Sequence, residues 1–422
     1  MLSLALVLGL LPRAALLLLW TGYLSLCTAG AVFLNFQWDA LLLETGLLAI
    51  FLAPAGLRPD WRGGRPPSRA FLWLLRWVLF RVMFLSGLVK LLWDDPRWWP
   101  ELSALEFHYW TQPLPHRISH FAHHMPAWFQ RVSIVTMFAI ELAVPFLFFG
   151  PRWARTAGCA ATVFLMASIA GTGNYGFFEP LIVVLCVTLL DDRTLGRLVP
   201  RSLRERWSSA PRALSEPASR LRSGARSLRS GATAIFTALV LILTAQAAAR
   251  GMRWARAFPE PLATLERWSA PLRSFNSYGL FRVMTTQRPE IEIEGSRDAL
   301  EWRRYEFRWK PGAVDRAPRV AGPHMPRLDG QMWFAGLSGV EGAGWYAPFA
   351  SRLLEGTPEV LALLAGNPFP GEPPRYLRST VYFYTFRSPA ERRAGTWWRR
   401  ERAGRYCATL ELVDGELRAV RW

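Results

Sequence analysis

The chain of 422 residues is poor in cysteine and histidine, with four Cys and six His, and its lysine is confined to Lys90 and Lys310. Four cysteines are too few for a small disulfide scaffold. Cys27, Cys159 and Cys186 fall in apolar runs, Cys407 stands alone, and no Cys-x-x-Cys is present, which excludes paired-thiol exchange. There is no His-Glu-x-x-His and no Gly-x-Ser-x-Gly, so neither that class of zinc peptidase nor a lipase-type serine hydrolase is expected. Nothing in the sequence calls for a cofactor. The net charge of +18 comes without a nucleic-acid reading motif, so no nucleic-acid partner is expected. The basic excess is almost all Arg, the skew of a GC-rich, bacterial genome.

What is abundant is apolar. Hydrophobic residues make up 51% and aromatics 14%, including 21 Trp, which excludes disorder. The apolar residues concentrate in the first 250 positions. A helix needs roughly 20 residues to cross a bilayer, and seven candidate spans follow: 14–34, 40–54, 71–93, 132–150, 157–169, 175–190 and 232–249. The loops agree on one orientation by the positive-inside bias. Arg13, the stretch 55–69 with Arg58, Arg62, Arg65 and Arg69, the turn with Arg152 and Arg155, and 191–230 with ten Arg against four acidic residues fall on the inner side. Asp39, Asp94, Asp95, Glu101 and Glu106 fall on the outer side. Residues 1–11 are apolar but too short to span, like the back half of a helix whose front half is missing.

The expected organisation is a multi-span helical membrane domain over 1–190, a basic cytoplasmic loop over 191–230, a last transmembrane helix over 231–250, and an extracytoplasmic, β-rich α+β domain over 251–422. In the last, "EIEIEGSRDALEWRRYEFRWKPG" alternates around a Gly-Ser-Arg-Asp turn, placing Ile291, Ile293, Trp302, Tyr305, Phe307 and Trp309 in strand-like runs. Residues 379–386 read as a strand, and the C-terminal segment as a hairpin turning at Asp414-Gly415. Thr357-Pro358-Glu359 reads as a helix start and Gly366 as its end.

Charges inside spans are costly and draw attention. Lys90 and Glu141 are candidates for an internal salt bridge; alternatively a desolvated Lys90 serves as a base, with Glu141 or His108 as partner. Five of the six His lie within 106–124, where His116, His120 and His123 have the spacing of metal ligands on one helix face. The alternative is an interfacial amphipathic helix lying flat on the membrane. In the C-terminal domain, Arg327, Asp329, Gln331 and Trp333, with Trp397, Trp398, Arg399 and Arg400, gather aromatic and Arg groups of the kind that anchor a protein partner; the alternative is Trp packed on strands with Arg outside.

The blocks "FLNFQWDALLLETGLLAIFLAP", "FRVMFLSGLVKLLWDD", "HYWTQPLP", "GNYGFFEPLIVVLCVTLLDD", "NSYGLFRVMTTQRPEIEIEGS", "PHMPRLDGQMWFAGL" and "WWRR" resemble, in the same order, those of the lipase maturation factor family. The resemblance covers nearly the whole chain and suggests a bacterial-type member. It implies a multi-pass membrane protein, in the ER membrane in eukaryotic relatives and in the cytoplasmic membrane of a bacterium, whose C-terminal domain faces the lumen or periplasm. It implies a non-enzymatic chaperone for exported client proteins such as lipases, with membrane lipids around it. A shorter stretch, "GLVKLLWDDPRWW", is similar to the transmembrane domain of vitamin K-dependent carboxylases. That likeness implies an enzyme using Lys90 as base on a lipidic or quinone-like substrate.

Overall fold

The computed structural model describes residues 1–58, 66–198, 220–255 and 257–420. Arg62, Arg65 and most of the basic stretch 191–230 lie outside the described residues. The helices in chain order are α1 (Leu2–Val7), α2 (Pro12–Ala29), α3 (Gln37–Leu52), α4 (Arg69–Leu92), α5 (Ala104–Thr111), α6 (Arg117–His123) and α7 (Ala127–Phe138). They continue with α8 (Arg152–Thr172), α9 (Phe178–Cys186), α10 (Asp192–Leu198), α11 (Arg220–Gly251) and α12 (Glu260–Ser269). Strands β1 (Pro289–Ser296) and β2 (Arg303–Tyr305) precede α13 (Arg327–Gly342), α14 (Tyr346–Leu354) and α15 (Pro358–Leu361). Strand β3 (Tyr376–Phe386), α16 (Pro389–Arg393), β4 (Trp398–Arg405), β5 (Leu410–Val413) and β6 (Glu416–Ala419) complete the order.

These elements form two compact units. A helical unit takes Met1–Asp95, Val135–Met166 and Phe178–Val283; a sheet unit takes Pro96–Ile134, Ala167–Phe177 and Met284–Trp422. The grouping is not collinear with the chain, because two segments that lie between apolar runs fold with the C-terminal region.

Four helices among the described residues are long and apolar enough to cross a membrane: Arg69–Leu92, Ala127–Phe149, Arg152–Thr172 and Ser230–Gly251, of which residues 127–134 and 167–172 are grouped with the sheet unit. They correspond to the third, fourth, fifth and seventh of the seven expected spans. The others are corrected by helix length and composition. The first apolar run breaks at Gly30 into a separate 3-10 turn, α3 has only 16 residues, and Phe178–Leu189 is apolar but shorter than the four. Of the six exposed Trp among the described residues, Trp73, Trp99, Trp128, Trp153 and Trp254 lie within seven residues of an end of one of these four helices, and Trp268 lies further along the chain. Indole prefers the polar–apolar boundary of a bilayer, so this distribution supports membrane embedding.

In the sheet unit, six antiparallel strands run β2-β1-β3-β5-β6, with β4 also paired to β3. The Ile/Glu alternation of β1 puts Ile291 and Ile293 on the face where Ser379 meets the Tyr346 hydroxyl of α14 at 2.5 Å. An alternating strand is ordinarily wet on its polar face, but here Glu290 and Glu292 are buried as well, because cationic side chains meet them there. The hairpin forms as expected, Asp414 and Gly415 both at positive φ, which permits the tight turn. Helix α15 begins at Pro358 but ends at Leu361, well short of Gly366, and Thr357 makes no side-chain cap; its hydroxyl instead lies 3.2 Å from the Glu355 carboxylate.

The helical unit holds a charge pair at its centre. Arg81, midway along α4, hydrogen-bonds Glu44 of α3, and both are buried. Tyr278 donates to the other oxygen of Glu44 at 2.7 Å, and Arg81 donates to the Asn276 carbonyl at 2.7 Å. Burial, and then the neighbouring carboxylate, hold the Tyr278 phenol well above its ordinary pKa. Removing one member of a buried pair leaves the other uncompensated, at ~3–5 kcal/mol. Arg81→Met should therefore lower the melting temperature in detergent sharply, and Glu44→Leu added to it should restore much of the loss. An equal loss in single and double variants would show that the pair is not coupled.

Candidate functional site

The second charge pair lies further along α4. Lys90 donates to Glu141 at 2.7 Å and to the Ser86 carbonyl at 3.0 Å, one helical turn back. Glu141 sits in a π-helical turn, Ala139–Ala143, a departure from α geometry that turns side chains into new directions and recurs at functional sites. Gly87 permits the approach, since a Cβ there would come within 2.9 Å of the Glu141 Cβ. Lys90 is thus buried and ion-paired. His108 belongs to the other unit, where its Nε2 lies 3.0 Å from the Tyr175 hydroxyl.

The sheet unit contains a buried network of its own. Arg288 is fully buried; it donates to the carbonyls of Trp110, Gln112 and Pro113 and pairs with Glu290 at 2.7 Å. Its pKa is lowered by burial and held up in part by Glu290. Lys310 pairs with the other oxygen of Glu290 at 2.8 Å. On the same strand Glu292 accepts from Tyr384 at 2.6 Å, from Arg304 at 3.1 Å and from Arg400. Both lysines of the chain are therefore buried opposite a glutamate.

The eight residues expected to contact a client divide between interior and surface. Asp329 is buried in the first turn of α13 and accepts from the backbone N–H groups of Trp309 and Lys310 at 2.8 and 2.9 Å. Burial raises its pKa against those bonds. Gln331 and Trp333 are buried too, the indole of Trp333 donating to the Thr111 carbonyl at 2.7 Å. Trp398 is 1% exposed in a cluster with Tyr109, Trp110, Tyr384 and Phe386. Arg327 and Trp397 are half-buried, while Arg399 and Arg400 are on the surface, Arg399 paired with Glu401 at 2.9 Å. The same helix shows what the sequence reading passed over. Phe334, Leu337 and Val340 stand exposed in succession on α13, at about 40% each. Their three-residue spacing beside the buried Trp333 and Met332 was the available signal.

The histidines are not arranged as ligands. His116 is the N-cap of α6, its Nδ1 accepting from the Ile118 N–H at 3.1 Å. The Nε2 of His120 lies 2.8 Å from the Arg387 carbonyl. Among the described residues no group of three or more His, Cys, Asp or Glu is placed to hold a metal ion. The His123 pKa is lowered from 6.5 to about 4, first by burial and then by the neighbouring His124 and His120.

Apolar helices long enough to cross a membrane, with charge pairs sealed among them, followed in the chain by a sheet region, define a polytopic membrane protein carrying an α+β unit. The models of the lipase maturation factor transmembrane domain and C-terminal domain match residues 1–197 and 274–408. This chain belongs to the lipase maturation factor family. It is 37% identical to lipase maturation factor 2 of Gallus gallus, covering 94% of this chain and 68% of that protein. Against lipase maturation factor 2 of Homo sapiens the identity is 36%, over 96% and 70%. Against lipase maturation factor 1 of Homo sapiens it is 34%, over 98% and 73%. These relatives are animal proteins, and the bacterial source suggested by arginine usage has no counterpart among them. No solved structure matches.

Two outcomes follow from this geometry. An amine-reactive ester should leave Lys90 and Lys310 unmodified in the native protein and modify both after denaturation; native labelling of either would place it at the surface. The second concerns pH. An unfolded His123 binds its proton near pH 6.5, the folded one only near 4, so the folded state loses stability as pH falls from 6.5 toward 4. Melting followed by Trp fluorescence should show this loss, and His123→Gln should reduce it; an identical pH dependence in the variant would remove His123 as the cause.

Proposed function

We propose that this chain is a membrane-anchored maturation factor, a chaperone that assists folding or assembly of exported, lipase-like proteins through its C-terminal unit. Membership of the family supports the general role, since the relatives carry lipase maturation in their names. The observation that carries the mechanism is the exposed row Phe334, Leu337 and Val340 on α13. A partly folded client offers apolar surface, and Phe334 and Leu337 on α13, with Val340 just past the break in the helix at Gly339, offer it a complementary one. Of the glycines along this segment, Gly336 packs closely on Pro289, and Gly339 faces open space. Arg327, Trp397, Arg399 and Arg400 are the other accessible candidates; Asp329, Gln331, Trp333 and Trp398 then act by holding α13 and β4 in place.

The C-terminal unit acts on the outer side, the ER lumen in a eukaryote or the periplasm in a bacterium. The loop charges support this orientation: Arg58, Arg69, Arg152 and Arg155 on one side, Asp39, Asp94, Asp95, Glu101 and Glu106 on the other. The division at 190, 230 and 250 gives way, in this reading, to a membrane domain that also lends residues 96–134 to the sheet unit.

The second reading, a membrane enzyme with Lys90 as base, draws on the burial of Lys90 against Glu141 in a π-turn. Lys90→Arg keeps the charge and removes a titrating amine. Unchanged client maturation in that variant assigns the pair a structural role.

The decisive experiment is photocrosslinking from α13 to newly made lipase in secreting cells, with lipase activity and lipase protein measured together. Phe334→Asp with Leu337→Asp should lower specific activity severalfold while membrane insertion is kept. Arg399→Glu with Arg400→Glu should weaken capture to a lesser degree. Unchanged specific activity in the α13 variant would refute the proposed surface.

A further inference from the structure

Helix α6 is turned inside out. His120 is fully buried, its ring packed on Phe386 at 5.1 Å and Trp397 at 5.3 Å, and Ser119 is buried beside it. The opposite side carries Ile118 and Phe121, each about half exposed. A helix facing water does the reverse, polar outward and apolar inward. Beyond α6 the exposed apolar positions continue with Met125, Trp128, Val132 and Val135, in alternating steps of three and four residues. Past the turn at 124–126 this row goes on into Ala127–Phe149, which is long and apolar enough to cross a membrane.

Three further features identify what covers this face. The turn between α6 and α7 is pinned, because the Gln130 side-chain amide donates to the carbonyls of His123 and Met125 at 2.9 and 3.3 Å. The direction of α6 relative to α7 is thus set by a buried side chain. The charged side chains around the row are cationic: Arg117 and Arg131 are exposed, and the Arg392 guanidinium lies over the Phe121 ring at 5.2 Å. Cations beside an apolar surface suit anionic headgroups over acyl chains. Trp128, 65% exposed at the second position of the apolar helix, is the residue type that favours that boundary.

We infer that the Ile118–Phe121 face of α6, with Met125 in the turn that follows, lies in the polar–apolar boundary of the bilayer, as an interfacial helix joined to the span by that turn, and holds the end of β3 that packs on it at the lipid surface. The occupant of this face is lipid, not a client protein or a second copy of the chain.

The test uses the full chain in nanodiscs of phosphatidylcholine and phosphatidylglycerol containing a lipid with a photoactivatable acyl chain. Trypsin releases residues 118–131 between Arg117 and Arg131, and fragmentation locates the adducts. Adducts on 118–125 are expected; adducts confined to 127–131 would overturn the inference. A second measurement places a spin label at Phe121→Cys or Leu300→Cys, the native cysteines replaced by serine. The label at 121 should collide severalfold less with a water-soluble nickel chelate and more with oxygen than the label at 300. Equal nickel access at the two sites would overturn the inference, as would a label at 121 shielded from both reagents, which is the signature of a protein occupant.

Discussion

A charge withdrawn from water must meet its opposite, and both units of this protein are built around that requirement. Burying an unpaired ion costs several kcal/mol, more where no water can relax around it. Arg81 meets Glu44, Lys90 meets Glu141, and Arg288 and Lys310 share Glu290. Three of these four pairs join separate segments, while Arg288 lies two residues before Glu290. Glu44 binds both a helix and the Tyr278 loop far beyond the last apolar helix, while Arg288 collects the carbonyls of Trp110, Gln112 and Pro113. The pairs therefore decide which segments pack together, and apolar burial supplies the bulk of the stabilisation around them. The π-turn at Glu141 and the missing side chain at Gly87 both serve this pairing.

The same physics separates what faces lipid from what faces protein. In the helical unit the polar groups converge inward and the outer surface is apolar, with exposed indoles near the ends of the long helices. In the sheet unit, large aromatics such as Tyr384 and Trp398 are buried, and most arginines lie outside, with Arg288 the buried exception. The two exposed apolar rows of that unit, on α6 and on α13, depart from this rule. Covering either with an apolar surface would cost nothing in charge and gain apolar contact, which is why we propose lipid for the row on α6 and a client for the row on α13.

Much of this was legible in the residues. Four of the seven apolar runs form helices of spanning length, since twenty apolar residues have few alternatives in lipid. The strands around Ile291 and Ile293 and around 379–386, and the turn at Asp414-Gly415, follow from period-two alternation and left-handed turn chemistry. The Lys90–Glu141 pair was anticipated from two charges in apolar runs. Other features were not legible. The alternation in β1 gives no sign that its glutamates are buried, because Lys310 and Arg400 arrive from elsewhere in the chain and nothing local shows that the adjacent Arg288 turns inward with them. The motif around Asp329 and Trp333 drew attention for its aromatic and polar groups, yet those side chains point inward and their neighbours Phe334 and Leu337 point out. Sequence spacing shows that residues share a helix, and only the packing of the helix decides which side is covered.

The sequence by itself determined the class of the protein: an apolar helical half, a family membership carried by long Trp-rich blocks, and a strand-rich C-terminal half without catalytic motifs. Those properties are local, set by composition and by the periods of helix and strand. Tertiary structure decided the rest. It placed residues 96–134 in the sheet unit, gave Arg81, Lys90, Arg288 and Lys310 their partners, and turned α6 so that its histidines face protein while Ile118 and Phe121 do not. The reason is that pairing energies act between residues far apart in the chain, and no local period records them.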